Sequence, residues 1–168
     1  GACLNYWISL FTGNTWEEFC RAGATTSGFS ERKKATVAKI RPGDMLLCYL
    51  TGVKRWVGAL EVIGKSHDTR PIWTAAEFPV RLEVKPLVLL SAEKGVPMEQ
   101  LEGKTAFYTG PSDRNKYKGF VRSCPAPFKR PEDGELIFRL LKEAERNPVV
   151  RPVDPRKLAR NPFFKVTR

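Results

Sequence analysis

The sequence predicts a mixed α/β (α+β) fold, a small mixed β-barrel with short helices packed outside. Three observations carry this. Short apolar strands alternate with short helices, too few and too irregular for repeated βαβ units. Two apolar strands at 45–51 and 56–63 are joined by only four residues, the spacing of a hairpin. Neither alternates between apolar and polar residues, so both faces of the sheet are expected to be covered. A barrel of this size fills its centre with side chains and leaves ligands to its mouth.

Taken in order, Asn5 to Leu10 reads as a strand of aromatic and β-branched residues, closed by the turn formers Thr12-Gly13-Asn14. Thr15 and Glu18 have the spacing of a capping box, and Gly23 is placed to end the helix they begin. Ser30 is expected to cap a second short helix running to Ala38, made basic by Lys33, Lys34 and Lys39. Pro42-Gly43-Asp44 forces a turn into the hairpin strands. A polar loop from Lys65 to Ala76, interrupted by Ile72-Trp73, leads to a strand in which Phe78, Val80, Leu82 and Val84 alternate with polar residues. Pro79 argues for an edge or a strand start there. Pro97 to Leu101 suggests a helical turn, and Thr105 to Thr109 a short strand. Pro131-Glu132-Asp133 opens a helix with Ile137, Leu140, Leu141 and Ala144 on one face. From Asn147 prolines and basic residues dominate, which divides the chain into a domain over 1–146 and a basic, Pro-rich tail or linker over 147–168.

The 168 residues, 42% hydrophobic and 28% charged, suit one globular domain. No apolar run approaches the ~20 residues of a spanning helix, and Gly1 to Trp7 lacks a signal-peptide pattern, so a cytoplasmic protein without a membrane partner is expected. Cysteines at 3, 20, 48 and 124 are scattered and the only histidine is His67, so no metal and no cofactor are expected. Net charge is +11, of which residues 1–100 contribute +3 and residues 101–168 +8, and phosphate is the natural counter-charge. No nucleophile elbow, phosphate-cradling glycine loop or carboxylate cluster is present. Glu61 is expected to make a buried hydrogen bond or ion pair, Trp7 and Trp16 to belong to the core, and the chain to bind rather than catalyse.

Tyr6-Trp7-Ile8, Trp16-Glu17, Arg41-Pro42-Gly43-Asp44-Met45-Leu46-Leu47 and Val57-Gly58-Ala59-Leu60-Glu61-Val62 follow one another in an order and spacing that resembles EVE domains, over roughly residues 5–145. The basic helix 31–39 and Trp73 in its loop are also similar to the related YTH domains. The resemblance implies a PUA-like barrel whose mouth accepts an unstacked, modified base, held by aromatic faces while Lys and Arg hold phosphates. It implies a base pocket lined by Phe11 to Asn14, Thr26 to Ser30 and Ile72-Trp73, with Thr12, Asn14, Ser27, Gly28, Phe29 and Trp73 as its candidate contacts; Trp56, which begins a strand beside Lys54-Arg55 at a loop edge, is a further candidate. Ser27 stands where many relatives carry a Trp, so Phe29 is the candidate replacement wall. Phosphate contacts are expected from Lys33, Lys34, Lys54, Arg55, Arg70 and Arg122. The resulting expectation is a modified-base reader, on DNA rather than RNA, serving as specificity domain of a restriction system with a nuclease or AAA+ partner beyond the C-terminus. The alternative is an RNA-binding PUA-like domain serving RNA modification or processing.

Overall fold

A computed structural model describes residues 4–159, with only the backbone of 113–116. Cys3 and the last part of the basic tail lie outside the described residues. The strands are β1 (Tyr6–Phe11), β2 (Thr26–Phe29), β3 (Met45–Leu50), β4 (Arg55–Lys65), β5 (Val80–Leu89), β6 (Val96–Pro97) and β7 (Ala126–Pro127). The helices are α1 (Gly13–Arg21), α2 (Lys34–Val37), α3 (Arg114–Arg122), α4 (Pro131–Arg146) and α5 (Pro155–Leu158). Seven strands form one sheet in the order β2-β5-β4-β3-β1-β7, with β6 added to β4. Only β1 and β3 run parallel. The long strand β4 shifts register against β5 at two places and against β3 at one. Bulges of this kind increase local twist, and the sheet curls into a half-barrel with the short helices outside it, the mixed α/β architecture expected.

The core explains the apolar runs. Every residue of β3 is buried, as its lack of alternation requires. Trp7 and Trp16 are core residues, and each indole N–H is satisfied, Trp7 by the Asp44 carboxylate at 3.0 Å and Trp16 by the Leu90 carbonyl at 2.9 Å. Asp44 also accepts from the Arg41 N–H at 2.9 Å. The Pro42-Gly43-Asp44 turn thus fastens the start of β3 to β1, and two of the motifs read from the sequence meet in one buried network.

Several elements differ from the sequence reading. The capping box is Thr12 with Thr15, three residues earlier than Thr15 with Glu18: Thr12 Oγ1 accepts from the Thr15 N–H, and Thr15 Oγ1 from the Thr12 N–H. Gly23, at φ +104°, does end α1. The expected helix 30–38 is a 3-10 turn (Glu31–Lys33) followed by the single turn of α2, with no side-chain cap from Ser30. The strand expected from Phe78 begins at Val80, because Phe78 occupies left-handed backbone (φ +46°). Thr105 and Tyr108 share one isolated bridge rather than a strand. Glu61 is half-buried and makes no ion pair among the described residues; it faces Lys85 across the β4–β5 ladder. The strand β2 and the helix α3 were not foreseen.

Candidate nucleic-acid interface

The loop 66–79 between β4 and β5 is polar in sequence but tightly held. The Asp68 carboxylate accepts from Thr26 Oγ1 of β2 at 2.8 Å and from Arg70 Nη2 at 2.8 Å, while its carbonyl accepts from Arg81 Nη1 of β5 at 2.9 Å. The Arg70 side chain first, then its backbone N–H, then Thr26, hold the Asp68 carboxyl well below the usual carboxylate range. Arg81 is buried and further donates to the carbonyls of Phe78 and Glu77. These bonds place Trp73. Its indole N–H donates to the Thr15 carbonyl at 3.2 Å, the Arg81 guanidinium lies 5.3 Å from the ring centroid, and Phe78 meets the ring edge-to-face at 5.5 Å. The ring rests on the backbone of Gly28, where a Cβ would stand 2.6 Å from Trp73 Cζ3.

Beside Trp73 opens a cavity of about 110 Å³, several times the ~10–15 Å³ that one water requires. The end of β1 contributes Leu10 and Phe11, α1 contributes Thr15, the end of β2 contributes Gly28 and Phe29, and Ser30 follows directly after it. Phe78 closes another side, Arg122 comes from the end of α3, and Cys124 and Pro125 come from the segment after it. Burial pushes the Cys124 thiol up, which keeps it neutral near pH 7. Arg32, Lys33 and Arg122 stand around this aromatic interior, and none makes an ion pair among the described residues. Such a cavity can enclose a flat apolar face while cations meet an attached anion.

The structure brings together seven of the residues named from sequence: Phe11, Gly28, Phe29, Ser30, Trp73, Lys33 and Arg122. Others lie elsewhere for definite reasons. Trp56 is fully buried in the core between Tyr49 and Phe128, so it is no edge of a pocket. Thr12 is buried and engaged in capping α1, Ser27 is fully buried, and Asn14 is exposed; none of the three lines the cavity. Lys34 lines a separate groove beside Pro42 and Lys65. Arg70 is paired with Asp68, and Arg55 donates to the carbonyls of Ala92 and Arg151. Sequence reasoning missed Leu10, Thr15, Arg32, Phe78, Cys124 and Pro125. Arg32 adjoins Lys33 and was legible as part of the same basic stretch, whereas the approach of the α3 segment carries no local signal. Among the described residues no three His, Cys, Asp or Glu side chains are grouped to hold a metal, and no helix is long and apolar enough to cross a membrane.

No family model matches the chain, and no curated protein does. Solved structures do. The Pho92 YTH domain in complex with m6A superposes with a TM-score of 0.60 at 12% identity, covering 88% of this chain and 88% of that one. The YTH domain of Zygosaccharomyces rouxii MRB1, in complex with N6-methyladenosine RNA, gives 0.58 at 12% identity over 83% and 87%. Rpa0253 from Rhodopseudomonas palustris gives 0.53 at 17% identity over 83% and 94%. At these identities the likeness establishes a YTH-like fold. None of the three is named as an EVE domain.

Proposed function

We propose that this chain is a nucleic-acid-binding module that takes one unstacked, chemically modified base into the cavity beside Trp73. The observation that carries the reading is the cavity itself: Trp73, Phe29, Phe11 and Phe78 line it, and Arg32, Lys33 and Arg122 stand where a strand's phosphates would pass. Aromatic walls suit any base face and cations suit the backbone, so the two together suit single-stranded nucleic acid. The fold supports the same reading, since two of the similar structures are named as complexes with m6A or N6-methyladenosine RNA. Those complexes make RNA the first polymer to examine. The preference for DNA and the place in a restriction system, with a nuclease or AAA+ partner, draw no support from them. In this reading the module binds without turnover.

The test is a paired titration of short single-stranded RNA and DNA, each with and without a methylated adenine or cytosine. The expected result is tighter binding to one modified oligonucleotide than to its plain counterpart. Equal affinity for every modified and plain pair would overturn base reading, and cleavage of the oligonucleotides by repurified protein, lost in a point variant, would overturn the non-catalytic role.

A further inference from the structure

The β3–β4 hairpin and the C-terminal segment that returns to it enclose a second groove, of about 550 Å³. Lys54, Arg55, Arg151 and Lys157 line it against a single carboxylate, Glu99. None of the four cations makes an ion pair among the described residues. Grouping like charges is unfavourable, and burial together with the adjacent Arg151 lowers the pKa of Arg55. The fold nevertheless fixes both arginines. Arg55 Nη1 donates to the carbonyls of Ala92 at 3.2 Å and Arg151 at 3.0 Å, and the Arg151 N–H donates to the Glu93 carbonyl at 2.8 Å. Lys54 stands on left-handed backbone (φ +59°), a conformation that a residue with a side chain seldom adopts. Fixed cations around an open groove, without matching carboxylates, form a site for a polyanion.

Its position indicates which polyanion. Phe11 pairs with Leu50, and Leu50 pairs with Arg55, so a cavity residue and a groove residue occupy one rung of three adjacent strands. Two inter-strand spacings, roughly 10 Å, separate them. The Thr12–Gly13 turn leaving β1 packs on Leu158, next to Lys157: a Cβ on Gly13 would lie 2.5 Å from the Leu158 carbonyl oxygen. Cavity and groove therefore share one end of the sheet. We infer that the groove holds the phosphodiester backbone of the same strand whose base enters the cavity, extending the contact beyond the recognised nucleotide. This rests on the base-binding reading above.

The test uses Lys54→Asn with Lys157→Gln. Neither lysine side chain makes a hydrogen bond or ion pair among the described residues, and Asn tolerates left-handed backbone. The probes are single-stranded RNAs of about three and about nine nucleotides with a central N6-methyladenosine, and their unmodified counterparts. The variant is expected to bind the longer RNA roughly tenfold more weakly, with a log–log salt slope shallower by about 1.4, since each lost phosphate contact contributes about 0.7 on a single strand. The short RNA should be bound as by the parent chain, and Lys54→Arg with Lys157→Arg should restore the slope. Unchanged affinity and slope on the longer RNA, or equal weakening of both lengths, would overturn the groove. If the parent chain bound modified and plain RNA alike while the Asn/Gln variant still lowered the slope, the base reading would fall and the groove would stand. Binding of neither RNA would remove both.

Discussion

At Gly28 one methyl group decides where Trp73 can sit. A Cβ there would meet Trp73 Cζ3 at 2.6 Å, Cη2 at 2.7 Å and Phe78 Cβ at 2.9 Å. Each lies inside the limit of real contacts, and Phe78 is already on disfavoured backbone. Gly28→Ala should therefore push the indole off its seat, lowering discrimination between modified and plain base with a smaller loss of stability than removing the ring. The place of Trp73 in a polar loop predicts an aromatic ring free of the core, so that Trp73→Ala would leave the fold in place. Its burial, its bond to Thr15 and its contact with Arg81 change that expectation. Truncating a packed Trp costs about 3–5 kcal/mol, which in a domain of this size lowers Tm by roughly 6–20 °C. Loss of a stacking wall removes a further ~1–3 kcal/mol of base affinity. Both effects are expected in Trp73→Ala, and thermal melting beside paired titrations of Gly28→Ala and Trp73→Ala separates them. Unaltered base preference in both variants would show that Trp73 supports the fold alone. The sequence showed that a large aromatic sat in a polar loop; it could not show that Thr26 of β2, Arg81 of β5 and the Thr15 carbonyl of α1 hold that loop in place.

The loop 66–79 is the element that this rigidity belongs to. Asp68 joins it to β2 through Thr26 and to Arg70, while Arg81 of β5 donates to the Asp68 carbonyl. Because the folded pKa of Asp68 is depressed below its unfolded value near 3.9, its contribution to stability is present above about pH 4 and is lost as pH falls through the folded value. Asp68→Asn should thus lower Tm at neutral pH and weaken base discrimination by loosening Trp73. The difference in Tm between parent and variant should shrink steadily below about pH 4. A difference that stayed constant down to strongly acid solution would show that the carboxylate charge holds nothing. Elements with local signals were legible here: β1, β3, β4 and α4 follow from apolar runs and a Pro-led acidic helix start. Those defined by distant partners were not. β2 has four residues, includes Gly28, and exists through pairing with β5. The cap of α1 was ambiguous because Thr12–Thr15 and Thr15–Glu18 both have the required spacing. Only the fold shows which hydroxyl meets the free N–H.

Across the whole molecule, charge was the most legible property and its placement the least. The +11 excess is concentrated toward the C-terminal half in sequence, yet the fold divides the useful cations between the cavity rim (Arg32, Lys33, Arg122) and the hairpin groove (Lys54, Arg151, Lys157). The segment read as an extended tail supplies part of the second group. Over 151–158 it lies against the body, through Arg151 on the Glu93 carbonyl and Leu158 beside Gly13. Surface ion pairs such as Arg146–Glu143 and Arg130–Glu132 neutralise some cations away from both sites, whereas the groups lining the cavity and the groove make no ion pair among the described residues and can replace counterions on a polyphosphate strand. If roughly three to five of them meet phosphates, the log–log slope of affinity against salt on a longer single strand should fall between about −2 and −4. Affinity would then decrease roughly 16- to 250-fold between ~50 and ~200 mM monovalent salt. The preference for a modified over a plain base should change little over the same range, because stacking and hydrogen bonds to a base edge release few counterions. Anisotropy titrations of one modified and one plain RNA at four salt concentrations measure both quantities. A flat salt dependence would contradict phosphate binding altogether, whereas a base preference that vanished in step with affinity would mean that the cavity adds nothing to the electrostatic grip.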